Sequence, residues 1–428
     1  MLLLPDAAHP HLPREADAGV AGRRAGGKEG GAAQMSPEEA GTGAGGSALV
    51  RMTPACSLKL LEEPAVYNRE TDELYFVSDE AVPFLESSAS GVAVPGDDAG
   101  RAFVDFCLAE GILEPAGAPA ARKLEFGQSP LPSLRYLLLH ITGRCNLACA
   151  HCFQGEPGAA AEELGFEDIR AVIAEFEGMQ GLRLMVSGGE PLLHPDFWRI
   201  NDLVAGKDIR SILLTNGLLI DDGTAARLDF NEVQVSIDGI GASHESLRGP
   251  GTFERAVAAA RRLAAAGVQL SVATMIHAGN VDDFGRLEEL VHGLGAREWS
   301  IDLPSPAGRL GANRGLLVDP AVAGPLLNLS FGGAIHEPAP GYACGAHLMA
   351  VMAGGAIARC GFYGGEPAGS VSGGLAAAWD RVRRTTLEEL DCDCRFLAEC
   401  RGGCRFRAAE DGGERGVDLC QCYRYGVK

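Results

Sequence analysis

Tyr136-Leu137-Leu138-Leu139-His140-Ile141-Thr142-Gly143-Arg144-Cys145-Asn146-Leu147-Ala148-Cys149-Ala150-His151-Cys152-Phe153 is the stretch whose reading decides the fold. A short apolar run, 136–141, ends in a polar loop that carries three cysteines. The pattern then repeats outward along the chain. A helical stretch at 162–178 leads to the strand Arg183-Leu184-Met185-Val186, which ends at Ser187-Gly188-Gly189-Glu190. A strand from Ile209 to Leu214 ends at Thr215-Asn216-Gly217, and one from Val233 to Ile237 ends at Asp238-Gly239. A helix at 252–266 leads to a strand from Val268 to Thr274, and a helix at 281–293 leads to one from Trp299 to Leu303. Short apolar strands alternating with helices predict an α/β fold with a parallel sheet, open or closed into a partial barrel. In such sheets chemistry gathers at the carboxyl ends of the strands, where these polar motifs fall.

The chain has 428 residues, enough for two or three domains and for a core that needs no disulfide staples. Residues 1–52 are rich in Gly, Ala, Pro and Glu without apolar period, which predicts a disordered tail. Within it Met35 and Met52 are alternative starts. Residues 55–120 predict a small α+β module of winged-helix-like outline. It would have a hairpin, Ala65–Asn68 with Glu73–Val77, a helix capped by Ser78 or Asp79, and a second helix near 99–110. A linker rich in Ala, Pro and Gly follows at 115–121. From about 340 to the end periodicity is weak, and metal rather than apolar burial is expected to hold the segment.

Net charge is −20, from 37 basic and 57 acidic residues, which argues against nucleic-acid and anionic-membrane partners. No apolar run is long enough to span a bilayer, and Met1–Pro5 is too short for a secretory segment. A reducing, cytoplasmic compartment is therefore expected, in which clustered thiols bind metal. Of the 13 cysteines, only Cys56 and Cys107 stand apart, as small core residues. Cys145, Cys149 and Cys152 can hold three corners of a cubane iron–sulfur cluster, with the fourth iron open to a ligand. The other reading is a zinc knuckle with His151 as fourth ligand.

The loop Cys145–Phe153 resembles the CxxxCx(aromatic)C signature of radical S-adenosylmethionine (SAM) enzymes, with His151 where the family usually has Tyr or Phe. Ser187-Gly188-Gly189-Glu190-Pro191 resembles that family's GGE motif. Ser236-Ile237-Asp238-Gly239 and His244–Gly249 resemble later landmarks. The resemblance implies a partial (β/α)6 barrel over residues 130–310. A [4Fe-4S] cluster on the three thiols would bind SAM. His151 would contact adenine. Ser187, Gly188, Gly189 and Glu190 would receive the methionine end, with the ammonium on Glu190. Ser236 would bond the ribose, and Arg248 would pair with the carboxylate. Asn216 is a further candidate for contact with SAM or substrate.

Cys344-x10-Gly355-x4-Cys360, Cys392-x-Cys394-x5-Cys400-x3-Cys404 and Cys420-x-Cys422 resemble the Cys-rich SPASM extension of such enzymes. The spacing departs by one residue at Cys392–Cys394, and Cys422 is additional. That resemblance implies one or two auxiliary [4Fe-4S] clusters in residues 340–428. Cys392, Cys394, Cys400 and Cys420 would hold one. Cys344, Cys360 and Cys404 would hold the other, with Cys422 a candidate fourth ligand.

The implied function is peptide maturation. SAM cleavage to a 5′-deoxyadenosyl radical, hydrogen abstraction from a peptide and a thioether or other crosslink would follow. A precursor peptide would be bound through its leader at the 55–120 module. An electron donor such as flavodoxin or ferredoxin is implied as well. The alternatives are a small-molecule radical enzyme of cofactor or tetrapyrrole synthesis, a sulfatase-type protein maturase, and a non-enzymatic zinc-binding interaction module. No catalytic base emerges, because Gly361, directly after Cys360, offers no side chain.

Overall fold

The computed structural model describes residues 49–118, 127–154, 162–333 and 340–428. It divides into two compact units, Met1–Thr53 with Tyr75–Lys123, and Pro54–Leu74 with Leu124–Lys428.

The larger unit is built on a nine-stranded sheet. Six strands run in sequence: β1 (Tyr136–His140), β2 (Arg183–Ser187), β3 (Arg210–Thr215), β4 (Glu232–Ser236), β5 (Gln269–Met275) and β6 (Glu298–Asp302). Each is parallel to the next, as the strand–helix alternation predicts. The helices Phe166–Gly178, Phe197–Ala205, Phe253–Ala265 and Phe284–Gly293 lie between them in sequence. Helix 166–178 shows why these segments are helical. Ile169, Val172, Ile173 and Phe176, spaced three and four apart, are its buried residues. Alternate strand residues, among them Leu137, Leu139, Leu184, Val186, Val233 and Val235, join the same core as those helices. On the opposite face Tyr136, Met185, Ile212 and Leu348 form a second apolar group, with Leu138, Leu214 and Cys360 against it.

Past residue 340 the chain returns to the same sheet. β7 (Leu348–Val351) lies parallel to β1, β8 (Ala356–Ala358) pairs antiparallel with β7, and β9 (Gly369–Ser370) antiparallel with β8. The expected boundary at 340 therefore does not separate two sheets. The chain beyond β9 adds short helices at Leu375–Arg381, Leu397–Cys400, Arg405–Gly412 and Leu419–Arg424.

The N-terminal region differs from its expected outline. Residues 1–48 of the predicted tail lie outside the described residues, but Leu49–Met52 is a strand. It pairs antiparallel with Val92–Ala93 on one side and Leu113–Ala116 on the other. The start of the expected linker is thus a strand, and residues 119–121 lie outside the described residues. Helices Val82–Ser88 and Asp98–Ala109 accompany this sheet, the second capped by Asp97, which accepts from Gly100 N at 2.8 Å. Strands Pro64–Asn68 and Glu73–Phe76 are neighbours in a three-stranded sheet, as the hairpin reading requires. Residues 54–74, however, belong to the larger unit. Their anchors are buried polar groups that periodicity does not reveal. Lys59 Nζ donates to the carbonyls of Gly181 (3.1 Å) and Asp208 (2.9 Å). Arg210, fully buried, donates to Glu232 (2.5 Å) and to the Arg69 carbonyl (2.6 Å).

Candidate functional site

The thiol loop leaves β1 and is fixed by the backbone of its neighbours. Gly189 N donates to Thr142 O at 2.7 Å, and Glu190 N to Arg144 O at 2.8 Å. A side chain on Gly189 would stand 2.3 Å from Arg144 O and 2.9 Å from the Cys145 Cβ, so only glycine permits this approach. Gly188, at φ +158°, packs equally closely on Thr142. Farther along the loop, Ala150 N donates to Leu247 O (2.9 Å) and Arg309 N to Cys152 O (2.9 Å). The cysteine loop is thus held from β2, from helix Ala242–Arg248 and from the segment after β6.

Cys145, Cys149, Cys152 and Glu190 share one electrostatic neighbourhood. Burial pushes the Cys145 thiol up to about 11 and the Cys149 thiol upward as well. Neighbouring half-buried thiols do not readily ionise together without a cation between them. The donor set therefore suits a positively charged metal centre, which supplies the missing countercharge. Among the described residues, no three or more His, Cys, Asp or Glu side chains converge on the spacing of a single ion.

Glu190 is fully buried at the end of β2. One oxygen accepts from Thr215 Oγ1 (2.8 Å) and Leu192 N (3.3 Å), the other from Asn216 N (2.9 Å). Burial outweighs these bonds and raises its carboxyl to about 7. A carboxylate offers about four acceptor positions, so one remains. Asn216 serves as a strut: its Nδ2 donates to Asn146 Oδ1 in the thiol loop at 2.8 Å, and its Oδ1 accepts from Leu218 N at 2.9 Å. Ser187 stands beside His140 in the register of β2 and β1, and Ser236 beside Ala273 in that of β4 and β5.

Arg248 reaches toward Cys149, and its Nε donates to Asp238. Burial opposes ionisation of Asp238, yet Arg248 prevails and its carboxyl falls to about 2. Met275 N supplies a further bond to Asp238 Oδ1 at 2.8 Å. Arg248 is thus aimed by a buried carboxylate through one edge of its guanidinium. Sequence reasoning quoted Asp238 in a motif without giving it this role. Asn146 likewise stood in the quoted thiol loop without a role, and Gly308 was missed altogether. A side chain at Gly308 would stand 2.5 Å from the Cys152 and Phe153 carbonyls. His151 lies nearby with its Nδ1 buried and without a hydrogen-bond partner among the described residues. Burial, then the Arg248 charge, lowers its pKa to about 4, so the ring is neutral at pH 7. A buried ring nitrogen without a partner, in the field of Arg248 and Asp238, fits a site that receives a polar ligand.

The C-terminal thiols fall into two groups. Cys392, Cys394, Cys400 and Cys422 line one cavity with Phe396 and Tyr425. Cys422 occupies the place expected for Cys420, which lies buried and outside that lining. Cys344, Cys360 and Cys404 interact with one another, and burial raises Cys344 to about 12 and Cys360 to about 11. Aromatic rings connect this second group to the first thiol loop. Phe153 lies 5.4 Å from Phe362, and Phe362 lies 5.1 Å from Phe406.

The chain is similar to several known proteins. Residues 139–292 match the model of the radical SAM superfamily, and that segment is a radical SAM domain. The mycofactocin maturase MftC of Mycobacterium tuberculosis is 35% identical over 178 residues, 40% of this chain and 46% of that protein. The AdoMet-dependent heme synthase of Oleidesulfovibrio alaskensis is 32% identical over 194 residues, 44% of this chain and 49% of that protein. The chain thus spans about half the length of the curated relatives it matches. Streptococcus suis SuiB, in a crystal structure bound to the precursor peptide SuiA, superposes with a TM-score of 0.62 at 13% identity. The match covers 87% of this chain and all of that one, and the two share a fold. Among the described residues no helix is long and apolar enough to cross a membrane.

Proposed function

We propose that this chain, which carries a radical SAM domain over residues 139–292, is a radical SAM peptide maturase. The observation that carries the reading is the convergence of Cys145, Cys149, Cys152, Glu190 and Arg248 at the carboxyl ends of a parallel sheet. Cys145, Cys149 and Cys152 would hold the [4Fe-4S] cluster, and the uncommitted acceptor position of Glu190 would take the ammonium of SAM. Arg248, steadied by Asp238, would offer its guanidinium to the methionine carboxylate. His151 would meet the adenine, and Ser236 the ribose. When bound, cluster and SAM supply a 5′-deoxyadenosyl radical able to take hydrogen from an unactivated carbon. The chain's own contribution is to fix the thiols by backbone bonds, orient the charged end of SAM and enclose the reaction. The auxiliary thiols would hold one or two further clusters.

A peptide substrate is supported by the maturases among the sequence relatives and by the shared fold with SuiB, whose structure holds its precursor peptide. The smaller unit would bind the leader by adding a strand at Val92–Ala93 or Leu113–Ala116, the outer strands of its three-stranded sheet. The bond installed would be a thioether or another crosslink, with flavodoxin or ferredoxin as electron donor. The heme synthase relatives favour a second reading, chemistry on a small molecule such as a tetrapyrrole.

Anaerobically reconstituted protein is expected to be brown, to hold about 12 irons if all three clusters contain four, and to release 5′-deoxyadenosine from SAM. A mass change in a short peptide encoded beside this gene would establish the substrate class. A colourless protein carrying only zinc would overturn the reading in favour of an interaction module. SAM cleavage coupled to a porphyrin and to no peptide would favour the second reading.

A further inference from the structure

The final helix, Leu419–Arg424, carries two cysteines two positions apart. An α-helix turns about 100° per residue, so side chains at i and i+2 leave on nearly opposite sides. Cys420 and Cys422 therefore do not face one site. The surroundings show where each goes. Cys422 lines the cavity of Cys392, Cys394 and Cys400. Cys420 is buried on the other side, where the helix packs on Pro320–Leu326, and its carbonyl lies 2.6 Å from the Cβ position of Gly324.

Asp418 caps this helix and joins it to the other thiol group. Its Oδ1 accepts from Cys420 N at 3.2 Å, and its Oδ2 accepts from Cys404 N at 2.9 Å and from Arg407 at 2.6 Å. One carboxylate thus holds the backbones of Cys404 and Cys420 side by side. At Gly403 a side chain would collide with Asp418 Cβ at 2.5 Å, which shows how closely the two segments pass. Arg407 lies in the field of both Cys404 and Cys420, and Cys344 in the field of Cys404, Cys360 and Arg407.

We infer that the last helix divides its two cysteines between two auxiliary sites: Cys422 completes the set Cys392, Cys394 and Cys400, and Cys420 completes the set Cys344, Cys360 and Cys404. The inference rests on the proposed iron–sulfur reading and sharpens it. Both auxiliary sites then have four protein thiolates, so neither leaves an iron corner for substrate. The thiol loop at 145–152 keeps the single open corner of the molecule. The auxiliary centres are left with electron relay and with holding the C-terminal region together.

The test is iron and sulfide counting with Mössbauer spectroscopy on full-length protein reconstituted without air, using paired variants. Cys394→Ala is expected to remove about four irons, and Cys344→Ala about four. Adding Cys422→Ala to Cys394→Ala should remove no more, because both belong to one site. Adding Cys420→Ala to Cys394→Ala should remove about eight in all, and adding it to Cys344→Ala no more than Cys344→Ala alone. The reverse pattern overturns the inference, as does a Cys420→Ala variant that keeps every cluster. Circular dichroism and retention of the 145–152 cluster's signal show that each variant is folded. If wild-type protein takes up no iron, it is the underlying reading that fails. If wild type is fully loaded and the pairs group otherwise, only the partition fails.

Discussion

The two thiol regions of this molecule are built on opposite plans. The 145–152 loop is clamped by backbone bonds from Gly189, Glu190 and Arg309, and rests on strands whose residues fill the main core. The C-terminal region past Leu390 has only Ala408 and Cys420 as buried apolar residues among those described. It hangs on polar ties instead. Arg401 donates to the carbonyls of Tyr342 (2.9 Å) and Ala343 (2.8 Å), Arg405 to that of Gly416 (2.7 Å), and Arg407 to Asp418. The first region is positioned by its backbone ties to the sheet. The second has little apolar area of its own, so metal ligation is expected to add to its stability.

The largest expected effect breaks the comparison at its chemical end. Cys149→Ala should abolish 5′-deoxyadenosine release, while Cys394→Ala should retain it at least in part. Full cleavage by the Cys149 variant would contradict the assignment of the open-corner cluster. Next, stripping metal with a chelator should make residues 392–428 protease-sensitive while the sheet resists. Cleavage sites mapped by mass spectrometry would show this, and equal sensitivity of β1–β6 would refute the difference in plan.

A smaller effect is expected from Gly189→Ala. The added methyl collides with Arg144 and Cys145, and overpacking of this kind costs about 1–3 kcal/mol. Melting temperature should fall, and iron should be lost from the 145–152 site with the auxiliary complement kept. The smallest effect is the pH dependence set by Glu190. Its folded-state pKa of about 7 lies above the ordinary carboxyl value, so folding favours the protonated form. Its contribution to stability is full below about pH 4.5 and is lost as pH rises through about 7. Melting curves of SAM-free protein between pH 5 and 8 should slope downward. Glu190→Gln should flatten that slope. An unchanged slope would place the titrating group elsewhere.

Much of this was legible in the residues. All six parallel strands fall within a residue or two of the apolar runs read as strands, because strand burial writes itself into sequence at short range. The thiol loop and its glycine–carboxylate partner were legible for the same reason: each is a contiguous motif at a strand end. The membership of residues 54–74 in the larger unit was not, since Lys59 and Arg210 reach carbonyls that lie far along the chain. The Asp238–Arg248 pair and the Asn146–Asn216 strut likewise join residues from separate loops.

From the sequence alone came the alternation that makes a parallel sheet, the place where its chemistry gathers and the number of thiols available for metal. That Cys422 rather than Cys420 lines the cavity of Cys392, Cys394 and Cys400 was decided only in three dimensions. Residue spacing records what a segment carries, but the direction of a side chain depends on the helix phase and on what packs against it.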